Sequence, residues 1–330
     1  FTSQRYGGIS LESIILTILL FGLGILFIVK GGDWFADSAI WFASYTRLPK
    51  VLIGATIVSL ATSIPEFTVS LIASLSGSPD TAVGNAVGST IANMGLILAV
   101  AAIIHPIVIK TRGFRINTVL MLGAMALIWL LGRDRFLSAR DGLILLVATI
   151  AYLGYQYWRA KSGEEQADVD VLVHTDRAHL PRNVALFLLG GILVVVGSRL
   201  VVTNGVTLAE LLGVPEMLIA LTLVSVGTSL PELVTAISTA RKGHPDLSAG
   251  NIVGANILNL TWVLSGASLA APLPILDQTL RLDLPVSFLF GLVLLVTFSV
   301  GRRRMGRGLA AAVLAAYALY VAKLVPLGTI

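Results

Sequence analysis

Apolar positions along this chain are grouped into runs of membrane-spanning length, set apart by short polar breaks. The first run extends from Leu11 to Val29 and continues through the aromatic stretch Trp34 to Tyr45. It predicts one long, tilted helix over 11–46. Lys30 and Asp33 interrupt this helix close enough together to pair on one face. Further helices are expected at 49–76, 80–104, 115–132 and 140–158, with a turn in SGSPD at 76–80. Then the pattern changes. Residues 159–182 are polar, mixed in charge and without an apolar face, which predicts a hydrophilic linker. Beyond it the runs resume at 183–212, 215–241, 246–271, 282–300 and 308–325. The expected fold is an all-α membrane protein of ten transmembrane helices. Five form a first repeat over 1–158 and five a second over 183–330, joined by the linker 159–182. No cleavable signal is expected, because the first apolar run is long and continues into a spanning helix.

The two halves are copies. Adding 166 to a number in the first half gives its partner in the second: Pro49 with Pro215, Thr62 with Thr228, Pro65 with Pro231, Glu66 with Glu232, Asn85 with Asn251, Asn93 with Asn259. From 48–106 against 214–272 no gap is needed, and 22 of the 59 positions are identical. Shared hydrophobicity would not match prolines, amides and acids in this way, so the chain carries an internal duplication. With an odd number of spans per half, the second copy crosses in the opposite sense. Inverted repeats of this kind hold their site near mid-membrane, at interrupted helices between the halves.

The polar residues inside the apolar runs define that site. Glu66 and Glu232 each follow a proline in the middle of an apolar stretch. An acid at membrane depth is costly, and two at matching places point to function. Ser59, Thr62, Ser63 and Glu66 fall at i, i+3, i+4 and i+7, one stripe on a helix, and Ser225, Thr228, Ser229 and Glu232 repeat it. Pro65 and Pro231 lack an N–H and should release the carbonyls of Ala61 and Gly227 from helical bonding. Asn85, Ser89 and Asn93 share a face of the following helix, and Asn251, Ala255 and Asn259 repeat the spacing with the hydroxyl lost. Gly84, Gly88, Gly250 and Gly254 leave room for another helix to approach. A single Ser, Thr or Asn in a membrane helix often does no more than bond a neighbouring helix. It is the duplicated acids behind duplicated prolines that carry the functional reading.

Composition narrows the chemistry. Apolar residues make up 56% of the chain and charged residues 12%, against about 25% charged in soluble domains. With no cysteine, the candidate ligands are hard oxygens, which suit Ca²⁺ and Na⁺ rather than zinc or copper. The linker acids do not have the spacing of an EF-hand loop. The net charge of +5 is spread over short loops, so it bears on membrane orientation and not on nucleic acid. Fifteen loop Lys and Arg lie on the linker side and six on the other, which predicts a cytoplasmic linker and external termini. Arg133, Arg135 and Arg140 run against this rule. No nucleophile–base pair or phosphate-binding loop is present, so neither an enzyme nor a cofactor is expected.

The motifs GTSLPE at 227–232, its variant ATSIPE at 61–66 and the GN-x-x-G segments at 84–88 and 250–254 resemble the α-repeats of the cation/calcium exchanger superfamily. Its best-known branch is the sodium/calcium exchangers. The resemblance covers nearly the whole chain. It implies alternating-access exchange of Ca²⁺ against Na⁺ at four clustered sites, with the two long helices sliding across the rest. Mapped by motif, the ligands it implies are Ser59, Thr62, Ser63, Glu66, Ser89 and Asn93, with Ser225, Thr228, Ser229, Glu232 and Asn259. Many relatives carry an aspartate where this chain has Asn259, and a serine where it has Ala255. The expected function is therefore a Na⁺/Ca²⁺ antiporter of the cell membrane, electrogenic and without an obligatory protein partner. A Ca²⁺/H⁺ antiporter is the alternative. A channel or ion sensor fits less well, because the duplication puts a complete site in one chain.

Overall fold

The computed structural model describes residues 11–109, 111–162, 177–212, 227–300 and 303–327. The described helices are α1 (Leu11–Thr46), α2 (Lys50–Thr62), α3 (Ile64–Leu75), α4 (Pro79–Ile104), α5 (Arg112–Leu131) and α6 (Ala139–Ser162). After the linker come α7 (Leu180–Leu211), α8 (Leu230–Arg241), α9 (Pro245–Ala270), α10 (Thr279–Ser299) and α11 (Arg307–Leu327). Among the described residues seven helices are long and apolar enough to cross a membrane, and the bent pair α2–α3 makes an eighth candidate. The helix expected at 215–241 is described only from residue 227, so its first half and Ser225 lie outside the described residues.

Burial sorts the helices into layers. In their most apolar windows α4 is 72% and α9 83% buried, against 11% for α1 and α11. The central pair therefore packs against protein on all sides, while α1 and α11 turn apolar side chains outward, as helices in lipid do. The core around α4 and α9 includes Met94, Ile97, Phe114, Met125, Leu258 and Phe298, all within 2% of full burial.

The two long helices form a pair of their own. A Cβ on Gly24 would strike the Gly197 carbonyl, and one on Gly31 the Gly190 carbonyl, each within 2.9 Å. Gly24 and Gly190 are repeat partners, as are Gly31 and Gly197. The contacts run in reverse order along the two chains, so α1 and α7 are antiparallel and touch backbone to backbone. Asp33 does not depend on its neighbour Lys30. Its carboxylate lies 3.7 Å from Lys242 beyond the end of α8, and Asp37 meets the same ammonium at 2.6 Å. Lys30 points outward, so the expected pairing within α1 is replaced by one that ties α1 to α8.

Two short antiparallel ribbons join the halves. β1 (Ile107–Val108) pairs with β4 (Arg304–Met305), and β2 (Phe136–Leu137) with β3 (Leu273–Pro274). β1 precedes α5 and β2 follows it, so the ribbons lie about 30 Å apart, at opposite ends of a 20-residue helix. Two of the three arginines that run against the loop-charge rule have local partners here. Arg135 forms a 2.9 Å ion pair with Asp277, and the Arg133 guanidinium sits over the Trp129 ring. At the other end Lys50 meets His244 Nδ1 at 2.9 Å. Burial and the Lys50 charge push the His244 pKa below its ordinary value, which keeps that contact intact.

Candidate functional site

The prolines break their helices as the sequence predicts. Ser63 leaves the helical path at φ −84° and ψ −1°, Pro65 falls in the first turn of α3, and α2 and α3 meet at a bend of 40°. Ser229 has the same conformation ahead of Pro231 in α8, at φ −89° and ψ 9°. Each break sets a glutamate in the first turn of a new helix, where free N–H groups favour negative charge. Four π-helical turns among the described residues were not legible in the sequence. Three lie in the site helices: Gly54–Val58 in α2, Asn93–Ile97 in α4 and Asn259–Val263 in α9. The fourth, Thr279–Asp283, opens α10. Such turns break the regular ladder and occur often at functional sites.

Glu66 and Glu232 are both fully buried and close enough for their charges to interact. None of their four carboxylate oxygens has a hydrogen-bond partner. Their hydroxyl neighbours are crossed: Ser229 lies by Glu66, and Thr62 by Glu232. Among the described residues no group of three or more His, Asp or Glu side chains is gathered. A buried anion without a partner costs on the order of several kcal/mol unless something cationic joins it.

The remaining polar residues are tied across the halves in matched bonds. Thr62 donates to Asn251 Oδ1 at 3.2 Å, and its partner Thr228 donates to Asn85 Oδ1 at 3.2 Å. Ser229 donates to Ser89 at 3.1 Å. The mate of that bond would join Ser63 to residue 255. Alanine stands there, and Ser63 Oγ is left buried without a partner. Asn85 Nδ2 donates to Ser70 at 2.9 Å and to the Glu66 carbonyl at 3.2 Å. Its mate Asn251 has Ala236 where Ser70 would be, and its Nδ2 is unpartnered. Ser59 is buried and donates to the Thr56 carbonyl at 3.0 Å.

Asn93 and Asn259 are both fully buried in the π-helical turns. Asn93 Nδ2 donates to Asn256 Oδ1 at 2.9 Å, which leaves Asn93 Oδ1 unpartnered. Asn256 is anchored in turn on the Thr90 carbonyl at 3.3 Å. The motif reading passed over Asn256, although a buried amide three residues before Asn259 was a visible signal. The mate of Asn256 is Thr90, which bonds its own helix, so neither amide atom of Asn259 has a partner. Gly54 and Gly250 make this crowding possible. A Cβ on Gly54 would strike the Leu247 carbonyl, and one on Gly250 the Val51 carbonyl.

The family model for "Sodium/calcium exchanger protein" matches residues 16–158 and 182–325, the two halves on either side of the linker. The chain belongs to this family. The exchanger is 34% identical over 316 residues to the inner membrane protein YrbG of Escherichia coli, covering 94% of this chain and 97% of that protein. It is 30% identical to the sodium/calcium exchanger MaX1 of Methanosarcina acetivorans, over 87% of this chain and 93% of the relative. It is also 33% identical to the putative antiporter CaxA of Alkalimonas amylolytica, over 76% and 79%. Among solved structures, the sodium-calcium exchanger NCX_Mj soaked with Na⁺ and Sr²⁺ superposes with a TM-score of 0.82 at 30% identity. That match covers 94% of this chain and 98% of the other. The exchanger is thus a membrane transporter of cations, Ca²⁺ among them, and not an enzyme.

Proposed function

We propose that the exchanger moves Ca²⁺ against Na⁺ by alternating access, with the cations held between Glu66 and Glu232. The observation that carries this reading is the set of unpartnered oxygens at the centre: four carboxylate oxygens, Asn93 Oδ1, Asn259 Oδ1 and Ser63 Oγ. All are hard donors, and all belong to fully buried residues. Ser59, Thr62, Ser63, Ser89 and Asn93 serve from the first half. Ser225, Thr228, Ser229 and Asn259 serve from the second. Two carboxylates are neutralised by one Ca²⁺, whereas three Na⁺ leave one positive charge over, so exchange in that ratio is electrogenic. The test is ⁴⁵Ca²⁺ uptake into proteoliposomes. A Na⁺ gradient drives uptake and a pH gradient does not. Uptake driven by the pH gradient alone would overturn Na⁺ coupling in favour of H⁺.

The same reading takes the chain as ten spans in two inverted halves, with a cytoplasmic linker and external termini in the cell membrane. Its support is the loop charge, together with the antiparallel packing of the repeat partners α1 and α7. Because the chain has no cysteine, one introduced at His174 is the only label site. In intact cells an impermeant maleimide is expected to leave His174→Cys unlabelled and to label it after permeabilisation. Labelling from outside would reverse the orientation.

A further inference from the structure

The π-helical turn Gly54–Val58 immediately precedes Ser59, and it displaces one carbonyl from the helical ladder. The Ser59 N–H bonds to the carbonyls of Gly54 and Thr56 and passes over that of Ala55. A carbonyl set aside in this way inside a membrane protein requires another donor. Tyr152 of α6 supplies it, its hydroxyl donating to the Ala55 carbonyl at 2.6 Å. The hydroxyl is itself held. Gln156 Nε2 donates to it at 3.2 Å, and Arg159 Nη1 donates to Gln156 Oε1 at 3.4 Å. The three side chains share one face of α6 by helical spacing, and each is buried, at 5%, 1% and 7% exposure. The guanidinium of Arg159 fills the space where a Cβ of residue 113 would lie, and Gly113 leaves that space open.

The opposite side of the turn is equally confined. A Cβ on Gly254 of α9 would lie 2.7 Å from both the Ala55 carbonyl and Ser59 Oγ. The turn is therefore wedged between α9 and the Tyr152 hydroxyl. It also sets the rotation of the rest of α2. Before it, the Val51 backbone packs on Gly250 of α9, while Ser59 and Thr62 after it belong to the ion site. One residue more or less in the turn would rotate Ser59 and Thr62 by about 100° relative to that packed face. In the last helices the repeats match at an offset of 168, since β2 answers β4, the left-handed Arg135 answers Arg303, and Ala139 opens α6 as Arg307 opens α11. Tyr152 is thus matched by Tyr320, whose hydroxyl donates instead to Asp283 Oδ1 at 2.9 Å, and Gln156 and Arg159 are matched by Leu324 and Leu327.

We propose that Tyr152 is a positioning residue for the first half of the ion site: its hydroxyl, fixed by Gln156 and Arg159, holds the π-helical turn that aims Ser59 and Thr62 at the bound cation. This rests on the ion-site reading given under Proposed function. The test uses the full chain, wild type and Tyr152→Phe, with two readouts. Amide hydrogen exchange of a peptide covering 54–60 should quicken about fivefold, the factor carried by one ordinary hydrogen bond, while peptides from α4 and α9 keep their rates. In proteoliposomes the Na⁺ and Ca²⁺ concentrations for half-maximal transport should rise by a similar factor with the maximal rate retained. Gln156→Leu, which keeps the Tyr152 hydroxyl but frees it, should give the same changes at smaller size and stands in if Tyr152→Phe does not fold. Unchanged amide exchange at 54–60 in a folded variant overturns the proposal. So does a loss of maximal rate with unchanged half-saturation. If the peptide quickens while Glu66→Gln transports normally, the ion-site reading has failed and the role of Tyr152 in holding the turn stands.

Discussion

Glu66→Gln and Glu232→Gln are each expected to abolish Ca²⁺ transport while the protein remains folded. Both side chains are fully buried and neither accepts a hydrogen bond. Their oxygens, set in the first turns of α3 and α8, are thus available to a cation. Removing one unit of charge from such a site costs about 4 kcal/mol per unit charge at 4 Å, taking an effective dielectric constant of about 20. That is roughly three orders of magnitude in affinity. The amide has nearly the same shape, and it removes the repulsion between two adjacent carboxylates. In buffer free of Ca²⁺ and Na⁺ the melting temperature should therefore hold or rise. In wild type, added Ca²⁺ should raise it further, because the ion binds the folded state only. In the variants that Ca²⁺-dependent rise should disappear. A folded variant that still transports ⁴⁵Ca²⁺ at the wild-type rate would remove the glutamates from the site.

Asn259→Asp should tighten apparent Ca²⁺ binding and raise the Na⁺ concentration needed to displace it. Both amide atoms of Asn259 are buried without partners, so an aspartate there breaks no existing bond. It adds a third carboxylate to a site that has two. Each added unit of negative charge attracts a divalent ion about twice as strongly as a monovalent one at equal distance, so selectivity shifts towards Ca²⁺. Displacement of ⁴⁵Ca²⁺ by Na⁺, measured on wild type and variant, reads the shift directly. Coincident curves would mean that Asn259 lies outside the binding shell. Asn93→Asp is a harder change to read, because Asn93 Nδ2 donates to Asn256 and the aspartate would lose that bond.

The parts of the site that were legible in the sequence are those the duplication states twice. Glu66 and Glu232, the prolines and the hydroxyl stripe recur at one offset, and in an apolar run every polar residue stands out. The bonds they make were not legible, because each depends on a partner in the other half. The loss of a hydroxyl at Ala255 could be read directly. Its consequence, a stranded Ser63, required the knowledge that Ser229 bonds Ser89. Asn256 and Tyr152 were missed for a related reason. Asn256 has a repeat partner of different chemistry, Thr90, and Tyr152 has Tyr320, whose hydroxyl bonds Asp283, so the duplication reveals neither bond. The Tyr152 bond also spans 97 residues. The π-helical turns shift the helical phase by one residue, and where neighbouring residues are uniformly apolar that shift leaves no trace in the pattern. Lys30 and Asp33 failed differently, since spacing along one helix could not foresee the stronger claim of Lys242 on Asp33.

The matched bonds across the halves also give the molecule a history each time it is made. Translation delivers Glu66, Asn85, Ser89 and Asn93 to the bilayer before residue 227 exists. Until the second half arrives, the Asn85 carbonyl has no Thr228, Ser89 has no Ser229 and Asn93 has no Asn256. The nascent first half therefore waits in the membrane with its most costly side chains unanswered. Its strand β1 finds its partner only when Arg304 and Met305 emerge, after the whole of α10. The buried polar centre is thus inserted in two instalments and joined only when the second is made.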